Sequence, residues 1–477
     1  MEGFLTSLND IVLWIGGNLW NLVLVLATLL GVIYGFRSKF IQFRMWGETM
    51  RLVRDRATQR EDGEGVSGFQ ALCITLGGCI GTGNVAGVAM AIVYGGPGAV
   101  FWMWLIALLG MVTSFIENTL AQVYKEKEGL VFRGGPSYYM EKAAGSRLLG
   151  VIYALSMIVS LGFALAALQA NTISLSVNYS MKIPELATAI IIAVFVALVI
   201  FGGIKRIATA AELSVPFMTI VYIALAFGVI LVNITEVPRM FALIFTEAFN
   251  FKAAAGGAIG NVIYQGLKRG VFSNGAGQGD APTAGASATV SHPAKQGLLG
   301  TFAIFIDTIV VCTATAFVII LSEVYLTSSL VGIELSQHAF SSMLGGWAGI
   351  LLSLCIVLFC FTSIMSNYYC GESCLAFLTR GTQGRTLYRV IFVVAIFFGG
   401  ITGVDLMWNI ADMFCAIIVN INMMTLLFLG GIAIKVGEDY IRQRKMGLEP
   451  IFYRDSIPGL KNIEAWDPAP QGAKIAE

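Results

Sequence analysis

Charged residues are scarce in this chain of 477 residues, where Asp, Glu, Lys and Arg together make up only 12%. A soluble protein carries about 25% of these residues, because its water-facing surface needs them. Apolar residues reach 57% instead, and the mean hydropathy is +0.78. The scarcity of charge excludes a soluble fold and predicts a polytopic membrane protein embedded in a lipid bilayer.

Histidine is nearly absent, since only His292 and His338 occur, and both lie outside the interiors of the apolar runs. The eight cysteines lack the flanking pattern of a zinc site. These absences leave no Ser-His-Asp or metal constellation for an enzyme, and a net charge of +1 offers nucleic acid no electrostatic attraction. We therefore expect no enzymatic activity, no bound cofactor and no nucleic-acid partner.

Long apolar runs are what the chain does contain, and each is long enough to cross a hydrocarbon core of about 30 Å. They lie at roughly 12–36, 69–94, 97–123, 148–176, 183–203, 208–232, 254–291, 296–322, 340–371, 386–402 and 405–434. The sequence therefore predicts an all-α protein with eleven transmembrane helices. The first of them follows an external amino terminus, so that 1–36 forms a leading unit.

The distribution of Lys and Arg predicts the orientation of these helices. Of the 30 Lys and Arg residues, 25 lie in 37–68, in the alternate loops that follow it and in the tail after 434. Basic loops stay on the cytoplasmic side. We therefore expect an external amino terminus, a basic cytoplasmic segment at 37–68, and a cytoplasmic tail at 435–477.

Two of the predicted spans are interrupted by glycine. Residues 76–84 contain four glycines and residues 272–280 contain three, followed by Pro282. Such clusters unwind a helix, and unwound backbone at membrane depth is tolerated only around a cavity or ligand. The alternative is that the glycines only permit tight helix packing.

The two interrupted spans occupy matching positions in two sets of five. Without the leading span, each opens a unit of five helices, at 69–232 and 233–434, and an odd number makes the second unit enter the membrane from the opposite face. Inverted repeats with broken helices are typical of transporters that bind substrate at the midplane.

An unwound helix offers charged ligands two kinds of backbone group. Amide hydrogens of Thr82, Gly83 and Asn84 follow the first break, where the positive dipole end suits a carboxylate. Carbonyls of Gly77 and Ile80 precede it and suit a sodium ion or an ammonium group.

Several motifs resemble the alanine or glycine:cation symporter family. They are Gly81–Ala89, Gly95–Trp104, Phe132–Pro136, Arg269–Asn274, His292–Pro293 and Gln296–Gly297, and the resemblance continues to Arg442–Lys445. The family resemblance implies a leucine-transporter-like five-plus-five inverted repeat and sodium-driven uptake of a small neutral amino acid, foremost alanine. Glycine and serine are further substrates to expect, in a plasma membrane of bacterial inner-membrane type.

The resemblance also implies a substrate site. It places the substrate carboxylate against Thr82 and Gly83, with Gln169 beside the substrate. The full set expected at this site is Thr82, Gly83, Asn84, Gln169, Phe272, Ser273, Asn274 and Asn367. For Gln169 and nearby Asn171, the alternative role is hydrogen bonding between helices.

A sodium site is implied in the same way, by carbonyls of Gly77 and Ile80 with the hydroxyls of Thr362 and Ser363. Adjacent hydroxyls inside an apolar run offer hard oxygen ligands. Their alternative role is hydrogen bonding to carbonyls one turn back along their own helix.

The chain departs from the family's usual pattern at three positions. Gly275 replaces a Glu, Asp280 replaces a Ser, and Asn367 replaces a Trp that walls the substrate pocket. These changes leave open a glutamine-preferring or proton-coupled symporter, and a non-transporting amino-acid sensor remains the alternative outside transport.

Lys268 and Arg269 lie at membrane depth and need counter-ions. The acidic residues at comparable depth are Glu117, Asp280 and Asp307, and we expect a structural or gating ion pair with one of them, with direct substrate contact as the alternative.

Overall fold

Helices dominate the fold, because a helix satisfies its own backbone hydrogen bonds where no water is available. The computed structural model describes residues 2–54, 66–129, 131–250 and 258–470. The chain begins with a long helix and two short ones: α1 (Glu2–Arg37), α2 (Ile41–Arg44) and α3 (Trp46–Arg54).

The next part of the chain contains the first broken helix and a small hairpin. Its elements are α4 (Gly68–Cys79), a π-helical turn (Gly83–Gly87), α5 (Val88–Gly95), α6 (Ala99–Val123), β1 (Glu126–Glu128), β2 (Val131–Arg133), α7 (Pro136–Lys142), α8 (Arg147–Val159), a π-helical stretch (Ser160–Leu165), α9 (Ala166–Met181), α10 (Glu185–Ile200) and α11 (Gly203–Val232). The two strands pair antiparallel, with Glu126 opposite Arg133.

The last part contains the second broken helix. Its elements are a 3-10 turn (Ile234–Glu236), α12 (Val237–Ala248), α13 (Ala258–Asn274), α14 (Asp280–Ala286), α15 (Pro293–Ile304), a π-helical stretch (Phe305–Cys312), α16 (Thr313–Ser322), α17 (Val324–Thr327), α18 (Gly332–Leu344), α19 (Gly346–Thr379), α20 (Arg385–Gly399) and α21 (Val404–Lys445).

Seven helices in the described ranges are long and apolar enough to cross a membrane, counting α8–α9 and α15–α16 as continuous. The α4–α5 pair, bent by 47° at its break, is an eighth candidate. The other three predicted spans coincide with α10, the broken pair α13–α14 and α20. The total of eleven and the division into two repeats therefore stay predictions.

Two predicted boundaries are wrong. The span predicted at 340–371 begins instead at Gly346 and runs to Thr379, because Gly345 at φ 92° ends the preceding helix. The span predicted at 254–291 is broken between Asn274 and Asp280, as its glycines predict, but its second helix ends at Ala286 and not at 291. Its first residues, 254–257, lie outside the described residues.

Helix α6 lies at the centre of the bundle, packed against α13, α14, α15 and α1. Helix α1 packs on α21, where the Tyr34 hydroxyl donates to the Leu427 carbonyl at 2.7 Å. A Cβ at Gly430 would lie 2.5 Å from the Tyr34 ring. The small residue therefore allows these two helices to approach closely.

One end of the bundle carries the β1–β2 hairpin, and we call it the hairpin end. The tail after α21 also packs there. The Trp466 indole donates to the Gln122 carbonyl at 3.0 Å, and Glu464 pairs with Lys142 at 3.0 Å. The tail thus connects the ends of α6 and α7.

We expect Gly430→Ala to lower the melting temperature of the detergent-solubilised protein. The added methyl group meets the Tyr34 ring, which its hydrogen bond to Leu427 holds in place, and overpacking of this kind costs about 1–3 kcal/mol. Gly228→Ala in α11 is the matched control, because no atom lies within 4 Å of its Cβ position. Equal melting temperatures for the two variants would contradict the packing described here.

Candidate substrate and ion site

The two breaks lie where the glycine clusters predict them, and they touch. Helix α4 ends at Cys79, Ile80 is extended, and helical backbone resumes at Gly83. A Cβ at Gly83 would lie 2.9 Å from the Ser273 Cα. The first break therefore packs directly against the end of α13.

The second break needs glycine for its backbone conformation. Gly275, Gly277 and Gly279 have φ values of 70°, 82° and 93°, in the left-handed region that other residues rarely adopt. The Gln278 side chain reaches back from this loop and donates to the carbonyls of Val271 and Phe272 at 3.2 and 3.1 Å. Carbonyls at the end of α13 are thus satisfied by a side-chain amide.

The amide of Thr82 is satisfied in the same way. Its N–H donates to Gln169 Oε1 at 3.0 Å, and its hydroxyl lies 2.8 Å from the same oxygen. The structure therefore joins Thr82 and Gln169 by a hydrogen bond between helices. Asn171 has only such a role here, since it donates to the carbonyls of Gly399 and Thr402.

Asp307 joins the two breaks, a position that the sequence analysis missed. Its carboxylate accepts from Asn84 Nδ2 at 2.6 Å, from the Ser273 hydroxyl at 3.0 Å and from the Thr308 hydroxyl at 2.8 Å. A lone carboxylate within an apolar run was the available signal, but it was interpreted as a counter-ion.

The other residues predicted for the substrate site, at the second break and on α19, have different surroundings. The Asn274 Oδ1 accepts from the Ala276 N–H at 2.9 Å, so this side chain folds onto its own loop. The Phe272 ring lies 5.5 Å from the Trp408 ring. Asn367 is buried on α19, one turn after Ser363.

A cluster of oxygens forms where α19 crosses the end of α4. The Ser363 hydroxyl lies 2.9 Å from the carbonyl oxygens of Gly77 and Gly78 and 3.4 Å from that of Ile80. The Thr362 hydroxyl lies 3.4 Å from the Gly77 oxygen and 2.9 Å from the Phe359 oxygen of its own helix.

The oxygen cluster therefore brings together Gly77, Ile80, Thr362 and Ser363. Thr362 also has the alternative role considered for it, because its hydroxyl bonds back along α19 to Phe359. Neutral carbonyl and hydroxyl oxygens are the ligands that a sodium ion takes at a broken helix, so the donor set fits that ion.

Lys268 and Arg269 pair with Asp412, and the predicted counter-ions Glu117, Asp280 and Asp307 are wrong. Lys268 Nζ lies 2.6 Å from Asp412 Oδ2, and Arg269 Nη1 lies 3.2 Å from Oδ1. The two cations precede the break by more than one turn, whereas the predicted acids lie level with it or are held by other donors. Trp408 packs on this ion pair, since its ring centroid lies 4.9 Å from the Arg269 guanidinium carbon.

A second charged layer lies toward the hairpin end. Glu372 on α19 faces Arg133, Arg385 and Arg389 at 3.7, 3.7 and 3.4 Å. Glu128 in β1 also pairs with Arg133 and Arg385. Burial opposes ionisation of Glu128, but the two guanidinium groups outweigh it and lower the pKa of this carboxyl.

Comparison with known proteins decides the family. A profile described as the sodium:alanine symporter family matches residues 5–454. The chain belongs to this family. The resemblance found in the motifs is thereby confirmed.

Named relatives cover nearly the whole symporter chain. It is 43% identical to a protein of Bacillus subtilis named "Probable sodium/glutamine symporter GlnT", over 94% of each chain. Identity is 42% to the amino-acid carrier protein AlsT of the same organism, over 99% of this chain and 100% of AlsT. The identity is 36% to the sodium/alanine symporter AgcS of Methanococcus maripaludis, over 93% of this chain and 98% of AgcS.

Solved structures show that this family member has a leucine-transporter-like fold. The crystal structure of MhsT in complex with L-phenylalanine aligns at a TM-score of 0.56 and 15% identity, over 79% of this chain and 99% of MhsT. A manganese transporter of Eremococcus coleocola aligns at 0.52 and 11% identity, over 81% and 88%.

We expect Gly83→Ala to reduce amino-acid binding by this symporter several-fold and to lower its melting temperature. A methyl group there would meet the Ser273 Cα at 2.9 Å and push the two breaks apart. Isothermal titration with alanine and a melting curve measure the two effects.

Gly87→Ala, in the same π-helical turn, is the control, because its nearest atom would lie at 3.9 Å. Unchanged binding by Gly83→Ala would show that the contact between the breaks does not position the site.

Proposed function

We propose that this protein imports a small neutral amino acid, foremost alanine, together with sodium by alternating access. The observation that carries the proposal is the oxygen cluster of Ser363 and Thr362 on the carbonyls before the first break, next to the Thr82 amide that follows it. Membership of the sodium:alanine symporter family supports the same conclusion.

The substrate carboxylate takes the place that Gln169 Oε1 occupies on the Thr82 N–H. The Gln169 amide and the substrate carboxylate both accept through an oxygen of a planar group. The charge of the carboxylate strengthens its hydrogen bond to the same N–H donor. The substrate ammonium group takes the α13 carbonyls that the Gln278 amide now satisfies. Substrate therefore exchanges with these side chains without exposing bare backbone groups.

The sodium ion binds among the oxygens of Gly77, Ile80, Thr362 and Ser363. Hydroxyl hydrogens that now point at the carbonyls turn away, so that every oxygen offers a lone pair. Residues 80 and 82 flank the same break, so ion binding orders the backbone that receives the substrate.

The orientation that we propose places the hairpin end in the cytoplasm and the amino terminus outside, in a bacterial inner membrane. The Lys268–Asp412–Arg269 layer then closes the external side and the Glu372 layer the cytoplasmic side. Five-plus-five inverted repeats over 69–232 and 233–434 give alternating access its symmetry.

Sodium coupling is energetically adequate for import. One positive charge that moves inward through 100 mV releases about 2.3 kcal/mol, which sustains an amino-acid gradient of roughly fifty-fold.

Glutamine is the second candidate substrate. The identity of 43% to GlnT supports it, as does a buried Asn367, whose amide can both donate and accept. Uptake of labelled alanine into proteoliposomes, with competition by a panel of neutral amino acids, separates the two substrates. Repeating it with and without sodium tests the coupling ion, and a sensor would bind without accumulation.

We expect the double variant Thr362→Ala with Ser363→Ala to raise the half-saturating sodium concentration at least tenfold, because two hard ligands are lost. That factor corresponds to about 1.4 kcal/mol. Thr379→Ala is the control, since this hydroxyl on the same helix bonds to the nearby carbonyls of Leu375 and Gly381 and lies far along α19 from the oxygen cluster. Unchanged sodium activation in a double variant that reaches the membrane would place the ion elsewhere.

We expect Asn367→Trp to narrow the accepted substrates toward glycine and alanine. The indole of Trp is larger than the Asn367 side chain and lacks its amide. We therefore expect serine or glutamine uptake to fall more steeply than alanine uptake. Competition assays on the purified variant measure this ratio. An unchanged ratio in a well-expressed variant would place Asn367 outside the pocket, and an equal loss of all substrates would indicate a structural role.

A further inference from the structure

Asp280 carries a buried carboxylate that no cation neutralises in the described part of the chain. The residue is 4% exposed and begins α14, directly after the second break. Its Oδ1 is buried and has no hydrogen-bond partner among the described residues. The carboxylate also faces the backbone N–H groups of Asp280 and Ala281 at the start of α14, and its Oδ2 has a weak contact with the Cys79 thiol at 3.8 Å.

The carboxylate lies between the two breaks. A Cβ at Gly275 would lie 2.9 and 3.0 Å from its two oxygens, and a Cβ at Gly78 would lie 3.5 Å from Oδ2. The absence of side chains at these two glycines leaves room for the carboxylate. Asp280, which begins the second half of one broken helix, therefore also lies beside the other.

A second unpartnered oxygen borders the same place. A Cβ added at Gly78 would lie 2.7 Å from the Ser366 hydroxyl, so Ser366 and Asp280 border the same space beside Gly78. Ser366 is 2% exposed and has no hydrogen-bond partner within residues 2–54, 66–129, 131–250 and 258–470. The Asn274 carbonyl lies 3.3 Å from the Cys79 thiol and so adds a third oxygen to this region.

Within the described residues, the groups around Asp280 do not supply a positive charge. Glu117 on α6 accepts from the Gly277 N–H and from Asn422, and so faces the same loop with a second carboxyl group. The other titratable neighbours are acids and thiols as well: Asp307, Cys79 on α4, Cys415 on α21, and Cys370 on α19, whose Sγ lies 3.9 Å from the Asp280 carbonyl. A buried carboxylate in such surroundings is costly unless a cation or proton binds to it.

We propose that Asp280 and Ser366 form a second monovalent-cation site, which takes a sodium ion or a proton in each transport cycle. The site lies one turn further along α19 than the Thr362–Ser363 cluster and is separate from it. The inference rests on the proposed function, because a coupling ion has meaning only in a symporter. Its consequence is one more positive charge carried with each substrate molecule.

The test compares the charge-to-substrate ratio of wild type and Asp280→Asn in proteoliposomes at a clamped membrane potential, with labelled alanine as the probe. We expect the ratio to fall by one in Asp280→Asn, whose amide keeps the shape and loses the charge. Asp405→Asn, an exposed acid at the start of α21, is the matched control. An unchanged ratio in an active Asp280→Asn protein would overturn the proposal.

Two arms identify the cation. Alanine accumulation is measured against the sodium gradient at equal pH, and against the pH gradient at equal sodium. If the cation is sodium, the power with which alanine accumulation depends on the sodium gradient falls by one in Asp280→Asn. If the cation is a proton, the power with which it depends on the proton gradient falls by one.

Ser366→Ala keeps the test decisive if Asp280→Asn is inactive. It removes one oxygen and retains the carboxylate, so we expect a several-fold higher half-saturating concentration of the coupling cation. Unchanged half-saturation by both sodium and protons would overturn the proposal. Failure of the proposed function is distinguishable, because wild type would then show no sodium-dependent alanine accumulation at all.

Discussion

Unwound backbone inside a membrane must find partners for every amide and carbonyl, and this constraint organises the centre of the molecule. Water is not available there to satisfy the groups that a broken helix exposes. Gln169 satisfies the Thr82 amide, Gln278 satisfies carbonyls at the end of α13, and Ser363 satisfies carbonyls at the end of α4. Each partner is a side chain from another part of the chain or from the break itself, and not a second stretch of regular backbone.

The constraint also accounts for what the sequence could predict. Glycine clusters inside apolar runs locate both breaks, since no other common residue unwinds a buried helix at so little cost. The adjacent hydroxyls of Thr362 and Ser363 are equally visible, because polar groups stand out against an apolar run. The family, the helical membrane fold and the positions of the two breaks therefore follow from one chain, without knowledge of any contact.

Contacts between distant segments could not be predicted in this way. Asp412 is separated from Lys268 by more than a hundred residues, and only the packing of α21 beside the site brings them together. Asp307 was visible as a buried acid, but its donors Asn84 and Ser273 come from two different breaks. The boundary at Gly345 was missed because the apolar pattern continues through it, and only the backbone conformation ends the helix.

The tail beyond α21 has a mechanical consequence. Through Trp466 on Gln122 and Glu464 on Lys142, it straps the end of α6 to the end of α7. Any outward movement of α7 must first break these tail contacts or move the tail with it. The composition of the described tail residues, which end at 470, therefore affects the stiffness of the hairpin end, far along the chain from the two breaks.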